Sequence, residues 1–147
     1  MNTIIATWHT AGKGKSNSLL ALANLLRSRY QTTHKVIYSS KDITKLTIDF
    51  TLIIEINNKI IAIESQGDPK TGLEKRLQNI VKNYNPNIIF CTCRTKGETV
   101  YAVDNIANNF NYDTIWTSTY QVTRNHNLAN QIKGEHLLDL ILQFGLI

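Results

Sequence analysis

Between an apolar stretch, Thr3 to Trp8, and a helical pattern that begins near Ser16, the chain reads His9-Thr10-Ala11-Gly12-Lys13-Gly14-Lys15-Ser16. Residues of these types at this spacing suit one chemistry, the holding of a phosphate chain. Gly12 and Gly14 leave the backbone free to turn its N–H groups inward. A helix that starts directly after them points its positive end at the anion. Lys15 is spaced to reach the β and γ phosphates, and Ser16 to offer a hydroxyl to Mg²⁺. The candidate nucleotide-binding residues are therefore Ala11, Gly12, Lys13, Gly14, Lys15, Ser16 and Asn17.

Such a site also needs a carboxylate, at the end of a neighbouring strand, to hold the metal or a water. The run Ile60-Ile61-Ala62-Ile63 ends in Glu64, followed by Ser65-Gln66-Gly67-Asp68-Pro69. Glu64 and Asp68 are the two candidates, and Asp68 has a second reading as a helix N-cap. A later apolar run ends in Arg94-Thr95-Lys96-Gly97-Glu98. Arg94 leaves the strand end where ligands of open α/β sheets bind, and suits charge developing on a transferring phosphoryl group. Lys96 is its neighbour in that role. Thr95 with Glu98 also reads as a capping box for the next helix. Ser118, Thr119 and Tyr120 end the last apolar run and suit a base or ribose pocket, with Tyr120 stacking. Cys91 and Cys93 alternate on one strand with no further cysteine or nearby histidine, which predicts buried thiols and not a zinc site.

The loop resembles the Walker A motif of the P-loop NTPase superfamily, G-x-x-x-x-G-K-[ST]. Gly14-Lys15-Ser16 matches its core, and His9 stands where the first glycine is usual. GKGKS is also similar to the loop of cobalamin adenosyltransferases, which the rest of the chain does not follow. Ile60 to Glu64 resembles a Walker B strand with Glu in place of Asp. The stretch before it, with E-S-Q-G after it, resembles the GTPase hairpin that ends in D-x-x-G. That likeness would put a switch loop at residues 40–47, with Thr44 or Thr47 as a metal contact, and Gly67 at the γ-phosphate. A guanine-reading N-K-x-D is absent. The resemblance implies ATP, or another nucleoside triphosphate, with Mg²⁺.

The surrounding pattern supplies the elements. Strands are expected at Thr3–Trp8 and Lys35–Ser39, and a hairpin over residues 50–64 turning at Asn57-Asn58. Two more strands follow at Asn87–Cys93 and Asp113–Thr119. Apolar residues recur at helical spacing from Ser16 to Tyr30, from Pro69 to Tyr84, from Thr99 to Phe110 and from Asn127 to Phe144. The expected fold is one α/β domain over residues 1–147, a three-layer sandwich of the P-loop NTPase type. Its sheet is mostly parallel, with one antiparallel hairpin.

Composition narrows the class. The chain has 147 residues, 42% hydrophobic and 18% charged, with two prolines. This is globular usage. Apolar runs fall far short of the roughly 20 residues of a membrane span, and no secretory signal is visible, so a cytoplasmic protein is expected. The net charge is +5, concentrated in the half that holds the glycine-rich loop, which suits an anionic ligand. That charge leaves nucleic acid open, although no basic run or binding motif supports it. The crowded apolar surface of the last helix is expected to pack on the sheet, with a homodimer contact as the alternative. The leading expectation is a Mg²⁺-dependent ATPase using Lys15, Ser16, Glu64 or Asp68, and Arg94. The rivals are a kinase for a small-molecule or nucleotide acceptor held by Arg94 and Lys96, and a nucleotide-binding module that acts through a partner.

Overall fold

A computed structural model describes residues 2–8 and 14–147, with the backbone alone for Lys15. The chain alternates strands and helices. β1 (Thr3–Trp8) leads to α1 (Lys15–Arg29), β2 (Lys35–Ser39), β3 (Thr51–Ile56) and β4 (Lys59–Glu64). Then come α2 (Leu73–Tyr84), β5 (Ile88–Cys93), α3 (Glu98–Phe110), β6 (Asp113–Ser118) and α4 (His126–Gln143). The strands form one sheet in the order β2-β3-β4-β5-β1-β6. β4, β5, β1 and β6 are parallel, and β2 and β3 are joined to them by antiparallel pairing. The hairpin turns at Asn57 and Asn58, with φ of 51° and 62°. Asparagine tolerates that region better than most residues.

Successive side chains of a strand point to opposite faces, and the sheet is apolar on both. Ile4 and Ala6 of β1 join a core with Leu77 of α2 and Val103 of α3. Ile5 joins the other core, with Leu22 of α1 and Leu137 of α4. A helix pair thus covers each face. The expected α/β class, the mostly parallel sheet and the hairpin are all present.

The connections diverge at β1. α1 carries the chain over one face to the β2 edge. α2 and α3 bring it back over the other face, and α3 crosses from β5 past β1 to β6. The carboxyl end of β1 is therefore a topological switch point, where open α/β sheets form their crevice.

Two helix starts differ from expectation. α2 begins at Leu73 after Gly72 (φ 82°), not at Pro69, so Asp68 is no N-cap. Lys70 and Gly72 both have positive φ and hold the chain out of helical geometry until then. α3 is preceded by Gly97 without any side-chain cap. The Thr95–Glu98 box does not form, because the helix starts only at Glu98, with Gly97 in the cap position. Glu98 instead accepts a hydrogen bond from the N–H of Lys70 at 3.2 Å. The apolar face of α4 buries Leu137, Leu138 and Ile141, while Phe144 is exposed.

α1 and α4 lie in close contact at Gly134. A Cβ there would stand 2.9 Å from both Ala21 Cβ and the Leu22 backbone nitrogen. Gly134→Ala should therefore lower stability even though alanine is the better helix former by about 1 kcal/mol. Overpacking of this kind costs about 1–3 kcal/mol. Urea unfolding should show a lower midpoint, and an unchanged or higher one would contradict the close packing.

Candidate functional site

The crevice at β1 is built around the start of α1. Gly14 is the N-cap, in the left-handed region at φ 82°. The positive φ favours glycine there, and a Cβ would also stand 2.5 Å from Asn130 Oδ1, so that side chain would have to shift. The Gly14 carbonyl accepts the Ser18 N–H and the Ser18 hydroxyl, both at 2.9 Å. Ser18 is buried, and this pair of hydrogen bonds fixes the first turn. Residues 9–13, and with them Ala11, Gly12 and Lys13, lie outside the described residues, as does the side chain of Lys15. Ser16 is described, and its hydroxyl donates to the carbonyl of Ser65 at 2.7 Å.

That bond ties the first turn of α1 to the end of β4. β4 is not the immediate neighbour of β1, since β5 lies between them. Thr92 of β5 closes the gap, donating its hydroxyl to the same Ser65 carbonyl at 2.9 Å. Gly67 completes the junction. A Cβ there would lie 2.1 Å from the Thr92 carbonyl oxygen, so close packing on β5 accounts for a glycine at this position.

Glu64 turns to the α2 face and is 2% exposed. One oxygen accepts the Arg76 Nε–H at 3.0 Å, and the other accepts the Thr51 hydroxyl. Burial pushes its carboxyl above the usual range, against the opposing pull of Thr51, Arg76 and the backbone N–H of Gln66. Arg76 also donates to the carbonyls of Thr71 and Gln66. One guanidinium thereby fixes both the carboxylate and the segment from Gln66 to Thr71.

Asp68 lies on that segment and pairs with Arg94, whose Nη2 is 3.2 Å from Asp68 Oδ1. Two candidates chosen separately from the sequence thus meet across two strand-end loops. Both are partly exposed, and Lys96 is exposed nearby in the chain. The Arg94 N–H is held by the Thr99 hydroxyl at 2.8 Å, which fixes where the arginine leaves β5.

A cleft of about 510 Å³ opens beside Gly14 and Asn17. Its other wall is the segment from Tyr120 to Thr123 together with His126, Ala129 and Asn130 of α4. α1 and α4 both begin at this edge, so two helix N-termini border the same space. Thr7 and Thr119 also approach this edge, and their buried hydroxyls have no partner among the described residues.

The loop at residues 40–47 does not reach this site. β2 is separated from β1 by three strands. Arg27 Nη1 donates to the Ile43 carbonyl at 3.0 Å and pins the loop beside α1, roughly 18 Å along the helix from its start. Thr44 is bonded to Asp42, and Thr47 to Lys41. Cys91 and Cys93 are buried without a disulfide, as expected.

Three residues of this region were missed by reasoning from sequence: Arg76, Ser18 and Lys133. Arg76 carries a signal in hindsight. It sits three residues after Leu73 and four before Ile80, on the border of the apolar face of α2. Lys133 similarly lies one turn before Leu137. Among known proteins the chain matches no family model, no curated protein and no solved structure.

Removing Arg76 leaves a buried carboxylate without its cation. Arg76→Ala should cost about 3 kcal/mol, the lower end for a broken buried pair because the guanidinium is partly exposed. The loss should shrink as pH falls from neutral toward the ordinary carboxylate range. Without the guanidinium the folded-state pKa of Glu64 rises further, and a raised acid contributes stability below its unfolded pKa that is lost as pH rises through the folded one. Denaturant midpoints at several pH values check both size and slope. A pH-independent loss would mean that Arg76 acts through packing alone.

Proposed function

We propose that this chain binds a nucleoside triphosphate with Mg²⁺ at the carboxyl end of β1 and hydrolyses it, as a small P-loop NTPase-like protein. The observation that carries the reading is the start of α1. A left-handed glycine opens a 15-residue helix at the switch point of a parallel sheet, beside a cleft and directly before Lys15 and Ser16. Backbone N–H groups at such a helix start favour an anion. ATP is the proposed nucleotide, since no guanine-reading motif follows β5.

The roles follow from chemistry and position. Lys15 holds the β and γ phosphates by charge-assisted hydrogen bonds. Ser16 and a carboxylate are hard oxygen donors of the kind Mg²⁺ takes, and the Ser65 carbonyl ties Ser16 to the segment that carries Asp68. Asp68 suits the metal or its water better than Glu64, because Glu64 has both oxygens engaged and faces α2. Mg²⁺, when bound, supplies neutralisation of phosphate charge. Arg94, held at the same edge, is available to exchange Asp68 for a phosphoryl oxygen. Glu64 then serves by fixing the segment that presents Asp68.

Phosphate release from ATP and GTP, with Mg²⁺ and after its removal by a chelator, tests the reading. Lys15→Ala should weaken ATP binding by about 1.5–3 kcal/mol. A parent protein with no Mg²⁺-dependent triphosphate binding would overturn the proposal. Asp68→Asn should abolish turnover at nearly unchanged melting temperature, since an exposed pair is worth about 1 kcal/mol or less. Arg94→Ala should lower turnover by about 10³-fold and leave ATP affinity nearly intact. Arg94→Lys should not restore turnover where two-pronged contact is needed.

A further inference from the structure

We infer that Tyr120 is the stacking platform for the base of the bound nucleotide, and that Lys133 and His136 of α4 hold its ring in place. The inference rests on the nucleotide reading above and assigns the base subsite within the same cleft.

Tyr120 follows β6 in a connecting segment and is 43% exposed. A half-exposed ring in a loop ordinarily has freedom to swing. This one is held by two residues of α4. Its hydroxyl is hydrogen-bonded to His136 Nδ1, and the two rings meet edge to face with centroids 5.7 Å apart. The Lys133 ammonium lies 5.3 Å from the ring centroid, within cation–π range. The ring nevertheless lines the cleft that borders Gly14.

Lys133 makes the arrangement costly to the fold. It is 6% exposed, and no carboxylate pairs with it among the described residues. Burial pulls its pKa down. Among the described residues it donates a hydrogen bond to the Thr117 hydroxyl at 2.6 Å, on the strand that ends just before Tyr120. A methionine would fill the same space without the penalty of a buried charge. Among the described residues the contacts that offset the penalty are those to Thr117 and Tyr120, so the ammonium serves to place that ring.

Gly14, at the start of α1, marks the side of the cleft that suits an anion. The rest of the described lining, Asn17, Tyr120, residues 121–123, His126, Ala129 and Asn130, supplies amides, hydroxyls, apolar groups and one imidazole, with no carboxylate or ammonium among these residues. That chemistry suits an uncharged planar heterocycle. The cleft volume of about 510 Å³ lies within the usual range for small-ligand sites.

Equilibrium binding of ATP, GTP and inorganic tripolyphosphate, each with Mg²⁺, separates recognition of the base from recognition of the phosphates. Tyr120→Ala should weaken both nucleotides about tenfold and leave tripolyphosphate within about twofold. Tyr120→Phe keeps the ring and should stay within about threefold of the parent for all three ligands. Lys133→Met should weaken the nucleotides about threefold to tenfold without touching tripolyphosphate, and Lys133→Arg should restore them. Tyr120→Ala that weakens tripolyphosphate equally, or weakens nothing, overturns the platform. A parent that binds tripolyphosphate as tightly as ATP also overturns it while leaving the phosphate site standing. A parent that binds none of the three removes the nucleotide reading and this inference together.

Discussion

A carboxylate taken out of water organises the carboxyl edge of this sheet. Glu64 ends β4 with its side chain under α2, where an isolated charge would cost several kcal/mol. Its two oxygens are therefore matched by donors, the Arg76 guanidinium and the Thr51 hydroxyl. Arg76 has donors left over, and they take the carbonyls of Gln66 and Thr71. A segment rich in turn residues is in this way given one path. Satisfying the buried acid and shaping the loop that carries Asp68 are the same act.

The consequences run to both sides of the sheet. The peptide after Glu64 presents its carbonyl to Thr92 on β5 and to Ser16 on α1. Ser65 is thus the point where the α2-side loop, the central strand and the first helix are joined. β5 intervenes between β1 and β4, and the Thr92 hydroxyl turns that separation into a bridge. Gly67 lets the loop descend onto Thr92. From there the chain rises to Asp68, whose partner Arg94 leaves the same β5 two residues after Thr92. A displacement of this loop would be felt at Ser16 through a single carbonyl group.

The other wall of the crevice belongs to α4. Helices α1 and α4 start at the same edge and run side by side, with Gly134 allowing their backbones to approach. Near their starts, Asn130 abuts Gly14. One turn further, Lys133 reaches past the sheet edge to Thr117 and Tyr120. The carboxyl ends of β1 and β6 are therefore framed by side chains from a helix that follows them by more than a hundred residues of chain in the case of β1.

What the sequence determined by itself was local and periodic. The strands, the four helices and the Asn57-Asn58 turn were legible because side-chain period and turn chemistry are properties of neighbouring residues. Gly14, Lys15 and Ser16 stood out as candidates for the same reason, as did Asp68 and Arg94, each near the end of a run. Tertiary structure decided the partners. That β5 enters between β1 and β4 follows from packing helices on both faces, which no window of sequence contains. Asp68 and Arg94 are 26 residues apart, and Glu64 and Arg76 are 12 apart. In sequence each looked like an independent candidate or a helix surface residue. The start of α2 moved past Asp68 because Lys70 and Gly72 follow contacts made elsewhere, to Glu98 and to the segment held by Arg76. Lys133 shows the limit most plainly. A lysine on the border of a helix face reads as solvated, and only the fold brings Thr117 and the ring of Tyr120 around it. Burial of a charge is a property of the space that the whole chain encloses.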